Sequence, residues 1–457
     1  MNWYGKKTLL LGLGASGSSA ASLLLTLGAK VVAVDDRILD VTKEPLLSLM
    51  ARGMEISDAS TAVCQISSMD SVVVSPGISQ HHPCYIAAKC ASIPIIGEVE
   101  LAAPYFSGKY CIGVTGTNGK TSVVLFLEHI LTSQGIKALA VGNVGVPMSA
   151  VAEKMLKSNS LENVSPLKND YTHFIIELSS YQLETMHFKL LDCAIILNIT
   201  PDHLDRYADM DDYALAKMRI FDCLKINGLK IVHENVHSAY RELCLNAKTY
   251  GRASINHIYA NSIDVIVSGI PQSPLPTLLQ HRSSHDVDNY IACYAAATAL
   301  QICPCAIASA FFSFKKPPHR IEFVAEIDCV KFIDDSKGTN IDAVICAVQS
   351  IRGDVLLIAG GVDKGASYLP WVQAFQGKVR AILAIGQAAA KIKLELSSFI
   401  DIHLFENLKD AVMYARSIAI PGDTVLLSPG CSSFDQFTDY AHRGREFKKN
   451  VLSLEHL

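Results

Sequence analysis

The stretch Tyr110–Leu131, "YCIGVTGTNGKTSVVLFLEHIL", constrains the fold of this chain more than any other. An apolar, β-branched run leads through a turn containing Gly116 and Gly119 into a segment with helical apolar periodicity. A strand that feeds a helix through such a turn belongs to a parallel α/β sheet, because the helix must pack back on the sheet it left. The turn also gathers backbone N–H groups at a helix N-terminus, where they converge on anionic oxygens. A standard phosphate loop reads G-x-x-x-x-G-K-S/T, which would put its first glycine where Val114 stands. The loop is therefore a shorter variant. Gly116, Thr117, Asn118, Gly119 and Ser122 would cradle a triphosphate, Lys120 would neutralise its β/γ charge, and the Thr121 hydroxyl would reach Mg2+. The bland alternative is a glycine turn with a solvated lysine.

The same alternation brackets this unit on both sides. Before it stand "KTLLLGLG", "AKVVAVDD", "SVVVSPG" and "IPIIG"; after "FKKPPHR" come "KFIDDSKGTN", "DVLLIAGG", "RAILAIG" and "TVLLSPG". Each is a short apolar run stopped by glycine, proline or polar residues. At 457 residues the chain exceeds one ordinary core. The expected architecture is three α/β domains: a Rossmann-like domain over 1–106, a P-loop ATPase-like central domain over 107–316, and a parallel Rossmann-like domain over 317–457. Within the central one, "VAEKMLKSNSLENVSPLKNDY" reads as a helix followed by a solvated loop, and residues 255–285 are the least readable part.

Composition excludes several partners. A net charge of -4 gives no electrostatic footprint for nucleic acid. Thirteen cysteines without metal-ligand spacing read as reduced, mostly buried thiols of a cytoplasmic protein. The uncharged stretch Asn289–Phe314 is long enough to span a bilayer, but Gln301 and Pro304 interrupt it and alanine dominates it. Two buried helices meeting at "CPC" are expected instead, with no membrane association. The N-terminal lysines precede an apolar run that carries turn glycines, so no signal peptide is expected.

Gly12, Gly14 and Gly17 satisfy G-x-G-x-x-G after a strand, with Asp35 and Asp36 near the ribose-binding spacing. That pattern alone admits a nucleotide-diphosphate ligand, NAD or FAD, or simple helix packing. Glu177 ends the strand "HFIIE", a position suited to Mg2+ or to capping the next turn, and His203 follows another strand. Lys217 in "YALAKMRIF" reads by its surroundings as a solvent-facing helix lysine, and Asn143 in "GNVG" as a turn residue.

Taken in order, "GVTGTNGKTS", "GNVG", "ELSSYQLE", "NITPDHLDRY", "AKMRIF", "PHRIE", "DDSKGTN", "AGGVDKG" and "LLSPGCSSFDQF" resemble the Mur ligases over essentially the whole chain, and within them the D-glutamate-adding branch. The resemblance implies an ATP- and Mg2+-dependent amide ligase of peptidoglycan precursor synthesis. Its substrates would be UDP-N-acetylmuramoyl-L-alanine and D-glutamate, and a monomer is expected. Asn143, Glu177, His203 and Lys217 then become catalytic candidates beside Lys120. Thr121, Glu177, His203 and a carbamylated Lys217 would hold metal, the modification turning a cation into an anion.

Asn289, Arg320 and Asp335 become nucleotide contacts. Asp286 stands where the family commonly has Asn, which leaves its role open. Ala15, Ser16, Asp35, Asp36, Arg37, Ser75 and Gly77 become uridine and diphosphate contacts. Lys337, Thr339, Lys364, Ser433 and Tyr440 would receive the amino acid. Gly338 and Gly430 replace alanines usual in the family, the first expected to be tolerated. Two rivals remain at this point: a related ligase such as a folylpolyglutamate synthase, which should lack a UDP-binding first domain, and a nicotinamide-dependent oxidoreductase, which would leave Lys120 unexplained.

Overall fold

A computed structural model describes residues 2–37, 39–159, 171–280 and 284–454. The chain forms two compact units: Met1–Leu197 with Ala214–Pro274 and Tyr290–Phe312, and Asn198–Tyr213 with Leu275–Asn289 and Ser313–Leu457.

The first unit contains two sheets. Five parallel strands, β1 (Lys7–Leu11), β2 (Lys30–Val34), β3 (Glu55–Ile56), β4 (Ser71–Val74) and β5 (Ile95–Gly97), lie in the order β3-β2-β1-β4-β5. The chain direction across the sheet reverses between β1 and β4, which is where ligands of open α/β sheets sit. The helix Ala15–Thr26 packs tightly over that turn: a Cβ on Gly17 would stand 1.8 Å from the carbonyl oxygen of Gly12. Gly17 is thus required for close packing, one of the alternatives its motif left open.

The second sheet has nine strands, β6 (Tyr110–Thr115), β7 (Ala138–Gly142), β8 (His173–Glu177), β9 (Leu191–Ile196), β10 (Leu224–His233), β11 (Lys248–Gly251), β12 (Ile258–Ala260), β13 (Asp264–Val267) and β14 (Ile270–Pro274). Their order is β14-β13-β12-β11-β10-β9-β6-β8-β7, with β6 at the switch between β9 and β8. β6 to β9 are buried almost throughout, as fully covered parallel strands must be, and so read as continuous apolar runs. The segment that sequence left unreadable holds an antiparallel meander, β12 to β14. The helix expected after "GNVG" spans Met148–Asn159; the solvated loop expected beyond it lies outside the described residues at 160–170.

Within this unit the two sheets are joined by buried polar contacts. The Ser149 N–H donates to Glu98 Oε1 at 2.6 Å, and the Thr26 hydroxyl to Glu153 Oε1 at 2.7 Å. Among the described residues no cation pairs with Glu98, and burial pushes its carboxyl above the ordinary range.

The third sheet, in the second unit, comprises β15 (Glu322–Ile327), β16 (Val330–Asp334), β17 (Val355–Gly360), β18 (Val379–Ile385), β19 (Asp401–Phe405) and β20 (Thr424–Leu427), ordered β15-β16-β20-β17-β18-β19. It is not wholly parallel as expected. β15 and β16 form an antiparallel hairpin through Asp328 and Cys329, both with positive φ (49° and 59°), the geometry a two-residue hairpin turn demands.

The uncharged stretch near residue 300 forms two helices, within Ser284–Ala299 and Pro304–Ser313. The second is only half-buried, leaving Phe312 exposed, rather than the buried element expected. Among the described residues no helix is long and apolar enough to cross a membrane. All thirteen cysteines are free; seven are buried, and Cys64, Cys90, Cys303, Cys305 and Cys329 are exposed.

Candidate active site

In the first unit, one set of candidates collects at the C-terminal ends of β1, β2 and β4. Asp35 accepts the Leu13 N–H at 2.6 Å and a two-pronged pair from Arg37, whose Nε and Nη2 lie 2.8 and 2.7 Å from its oxygens. The Arg37 guanidinium holds the Asp35 carboxyl down, at about 2. Ser75 donates to the carbonyl of Gly12 at 2.8 Å, and Ala15 and Ser16 open the helix above the turn. Asp36 is largely exposed and faces Nε2 of His82 at 3.4 Å; Gly77 is exposed in the turn after β4. His82 was not foreseen. Its Nδ1 accepts the Cys84 N–H and caps the following helix, so the proton sits on the nitrogen facing Asp36.

A second set surrounds the end of β6. Gly119, at φ 86°, is the N-cap of the helix Lys120–Ser133, a backbone conformation that favours glycine. Thr121 is buried in the first turn of that helix, and Thr117 in the loop before it is buried too. The Lys120 ammonium donates to the carbonyls of Gly116 (2.6 Å) and Thr117 (2.8 Å). Lys217 donates to the same Gly116 carbonyl at 2.9 Å and is 1% exposed. The solvent-facing reading of Lys217 is therefore overturned: its helix turns it into the sheet.

Glu177, 2% exposed, ends β8 beside β6. Its Oε1 accepts from Asn143 Nδ2 at 2.9 Å, while its Oε2 is buried and has no hydrogen-bond partner among the described residues. An unshared, water-excluded carboxylate oxygen costs free energy unless a cation or donor meets it. Such a carboxylate oxygen fits a divalent cation with oxygen ligands. Gly142 permits the Asn143 contact, since a Cβ there would lie 2.5 Å from the Glu177 carbonyl oxygen.

The remaining candidates lie in the second unit. His203 adopts a positive φ of 58° next to Asp202, whose carboxylate accepts from Lys364 Nζ (3.0 Å) and Asn340 Nδ2 (3.3 Å). Asn289 is half-buried, and Asp286 carries a two-pronged ion pair with Lys316 at 2.9 and 3.0 Å, which ties it to the "KKPPHR" segment. Arg320 is flanked by His319 and Ile321, both with positive φ. For a β-branched residue such as Ile321 that conformation is strained, and strain of this kind gathers at functional turns.

Asp335, 7% exposed, accepts the Ser428 hydroxyl at 2.6 Å. Burial pushes its carboxyl up to about 7 despite that bond and the nearby Arg320 charge. Ser428 gave no sequence signal beyond marking a strand end.

Three neighbouring strands, β16, β20 and β17, supply the loops that carry the amino-acid candidates. Lys337 lies 3.8 Å over the Tyr440 ring, Thr339 is half-buried, and Ser433 is buried. These loops are stitched together by the Gly430 N–H to the Gly338 carbonyl and by paired bonds between Val362 and Ser432. The two glycine replacements have visible causes. At Gly338 a Cβ would meet Asp335 Oδ2 at 2.5 Å and Ser428 Oγ at 2.7 Å; at Gly430, with φ 69°, it would meet the buried Trp371 ring at 2.9 Å. Among the described residues, one trio with metal-ligand types, His319, Glu322 and Asp334, falls outside the expected metal set, and Lys448 already pairs with its Glu322 at 2.8 Å.

A short glycine loop at a strand end that draws two lysines to one carbonyl, an unshared carboxylate on the adjoining strand, and a further α/β unit with cations and hydroxyls on three adjacent loops fit a nucleotide-dependent ligase. The chain belongs to the Mur ligase family. Residues 6–97 match the MurD-like N-terminal domain of Mur ligases, 114–297 the Mur ligase middle domain, and 319–431 the Mur ligase glutamate ligase domain. It is 46% identical over 456 residues to the UDP-N-acetylmuramoylalanine--D-glutamate ligase of Protochlamydia amoebophila, covering 99% of each chain. It is 35% identical to the enzyme of the same name from Koribacter versatilis, again over 99% of each. Among solved structures its fold resembles that of UDP-N-acetylmuramate-alanine ligase MurC from Thermotoga maritima, with a TM-score of 0.62 at 16% identity over 98% of this chain and 99% of that one. It also resembles MurF from Acinetobacter baumannii, with a TM-score of 0.58 at 17% identity over 98% and 91%.

Proposed function

We propose that this chain joins D-glutamate to UDP-N-acetylmuramoyl-L-alanine at the expense of ATP, in peptidoglycan precursor synthesis. The γ-phosphoryl group of ATP passes to the alanyl carboxylate, the D-glutamate amine attacks the acyl phosphate carbon, and phosphate leaves the tetrahedral intermediate as the amide forms. Phosphoryl transfer of this kind is mostly positioning and charge stabilisation. The observation that carries the reading is the convergence of Lys120 and Lys217 on one carbonyl of the short loop, with the unshared oxygen of Glu177 on the adjoining strand.

Lys120 and the N–H groups of Gly116–Ser122 bind and orient the triphosphate. Mg2+, when bound, neutralises phosphate oxygens; Thr121, Glu177, His203 and carbamylated Lys217 would hold it. Carbamylation has an electrostatic reason, because the buried ammonium of Lys217 and the half-buried one of Lys120, drawn to one carbonyl, repel each other and any cation brought beside them. Asn143 orients Glu177 and the reacting carboxylate. Asn289, Arg320 and Asp335 hold the nucleotide, and Ala15, Ser16, Asp35, Asp36, Arg37, Ser75 and Gly77 the uridine diphosphate. Lys337, Thr339, Lys364, Ser433 and Tyr440 receive the dicarboxylate, which needs cations and hydroxyls.

Domain boundaries near residues 106 and 316, a monomeric state and a cytoplasmic setting complete the reading; the last is supported by thirteen free thiols and by the use of ATP. The test is phosphate release with ATP, Mg2+ and UDP-N-acetylmuramoyl-L-alanine, comparing D-glutamate, L-glutamate and L-lysine. Turnover with D-glutamate alone is expected. Turnover with L-lysine alone would move the chain to another branch of the family.

A further inference from the structure

Arg443 is a buried charge to which the motifs and the proposed chemistry give no task. It lies on the helix Tyr440–Ser453, close to His442, Arg445, Lys448 and Lys449, yet it is 1% exposed. Nε donates to Ser336 Oγ at 3.0 Å; Nη2 donates to the carbonyls of Ser336 at 2.9 Å and Cys431 at 3.2 Å. Nη1 reaches the carbonyls of Cys431 (3.2 Å), Gly360 (3.4 Å) and Ser432 (3.4 Å). The acceptors are a hydroxyl and backbone carbonyls, with no carboxylate in the set. Burial draws the guanidinium pKa down only to about 10, so it stays charged at neutral pH.

Taking a cation out of water is costly, and a carboxylate partner is the usual compensation. Here the planar fork is spread over three chain segments instead, a geometry that a lysine ammonium cannot reproduce. Those segments are the loops after β16, β17 and β20, which carry Lys337 and Thr339, Lys364, and Ser433. Backbone approach is close enough to require glycine: a Cβ on Gly361 would stand 2.1 Å from the Ser432 carbonyl oxygen and 3.2 Å from Arg443 Nη1. Ser336 Oγ also donates to the Tyr440 carbonyl at 2.8 Å, bringing the fifth amino-acid candidate into the same network.

We infer that Arg443 is a positioning residue that sets the mutual register of the three amino-acid-binding loops, and so governs affinity for the dicarboxylate without touching it. The inference rests on the proposed assignment of those loops to D-glutamate. Its test is steady-state kinetics of Arg443→Lys and Ser336→Ala with each substrate varied in turn. Arg443→Lys should raise KM for D-glutamate by about tenfold or more and leave KM for UDP-N-acetylmuramoyl-L-alanine within about twofold. Ser336→Ala, which removes one acceptor and the relay to Tyr440, should move KM for D-glutamate the same way by about threefold. A merely structural staple would lower the active fraction, and hence apparent kcat, with every KM unchanged; that outcome in both variants overturns the inference. A parent enzyme whose turnover did not depend on D-glutamate would overturn instead the assignment beneath it.

Discussion

Replacing Gly338 by alanine tests the buried Asp335–Ser428 pair directly. The backbone of Gly338 is not left-handed, so the substitution asks only for space. The added Cβ would stand 2.5 Å from Asp335 Oδ2, 2.7 Å from Ser428 Oγ and 3.2 Å from the Asp335 carbonyl oxygen, and the first two must retreat beyond 3.0 Å. Neither is on a flexible surface side chain: Asp335 and Ser428 are both buried. Their hydrogen bond, 2.6 Å long, therefore opens. Losing a hydrogen bond to a carboxylate costs about 1.5–3 kcal/mol. Restricting the unfolded chain by a Gly-to-Ala change returns about 0.4–1 kcal/mol. The net expectation is a loss of about 1–2 kcal/mol and, because Asp335 is displaced, a rise of up to about tenfold in KM for ATP. Urea denaturation followed by a C-terminal-domain probe, together with ATP kinetics, would measure both. Ser428→Ala relieves half of the clash, so the double variant should be less damaged than the sum of the singles. A Gly338→Ala protein at least as stable as its parent, with unchanged KM for ATP, would refute the account of this pair.

Gly17→Ala should destabilise the N-terminal sheet and weaken UDP-substrate binding, since its Cβ would stand 1.8 Å from the Gly12 carbonyl oxygen; limited proteolysis and substrate titration would report it. Glu177→Gln should raise the Mg2+ concentration needed for half-maximal rate by about tenfold or more, because a neutral amide replaces the buried unshared carboxylate oxygen; an unchanged Mg2+ profile would contradict that. Asp335 binds a proton more tightly folded (about 7) than unfolded (3.8), so its contribution to stability is fully present below pH 3.8 and is lost as pH rises through 7. Without nucleotide, raising pH from 5 to 8 should therefore cost the parent about 2 kcal/mol relative to Asp335→Asn, measured by denaturation at both pH values.

Much of the sheet structure was legible because covered parallel strands must be apolar on both faces. β6, β17 and β18 announce themselves as uninterrupted runs stopped by polar or glycine turns. The meander β12–β14 did not, because its edge strand contains Pro271 and Pro274, tolerated only where no further strand needs their missing N–H. The hairpin β15–β16 turns on Asp328 and Cys329 rather than on asparagine and glycine, so its antiparallel pairing gave no local cue.

Motif spacing singled out Lys120, a strand-end position Glu177, and the family resemblance Asn143; the hydrogen bond between the last two accounts for their pairing. Burial was the hidden quantity. Lys217 and Arg443 are charged residues on helices, which by themselves suggest a wet face, and only packing against strands and loops far away in sequence turns them inward. The raised carboxyl of Asp335 is equally a property of its enclosure, not of its neighbours in the chain.

The central claim is that the loop Gly116–Thr121 grips a triphosphate so that its terminal phosphoryl group passes to a carboxylate. Its most direct test is turnover of UDP-N-acetylmuramoyl-L-alanine carrying 18O in the alanyl carboxylate, with ATP, Mg2+ and D-glutamate, followed by mass analysis of the released phosphate. An acyl phosphate route predicts one labelled oxygen in each phosphate released, and loss of all release in Lys120→Ala. Product formed with unlabelled phosphate, or at the parental rate by the Lys120→Ala protein, would contradict it.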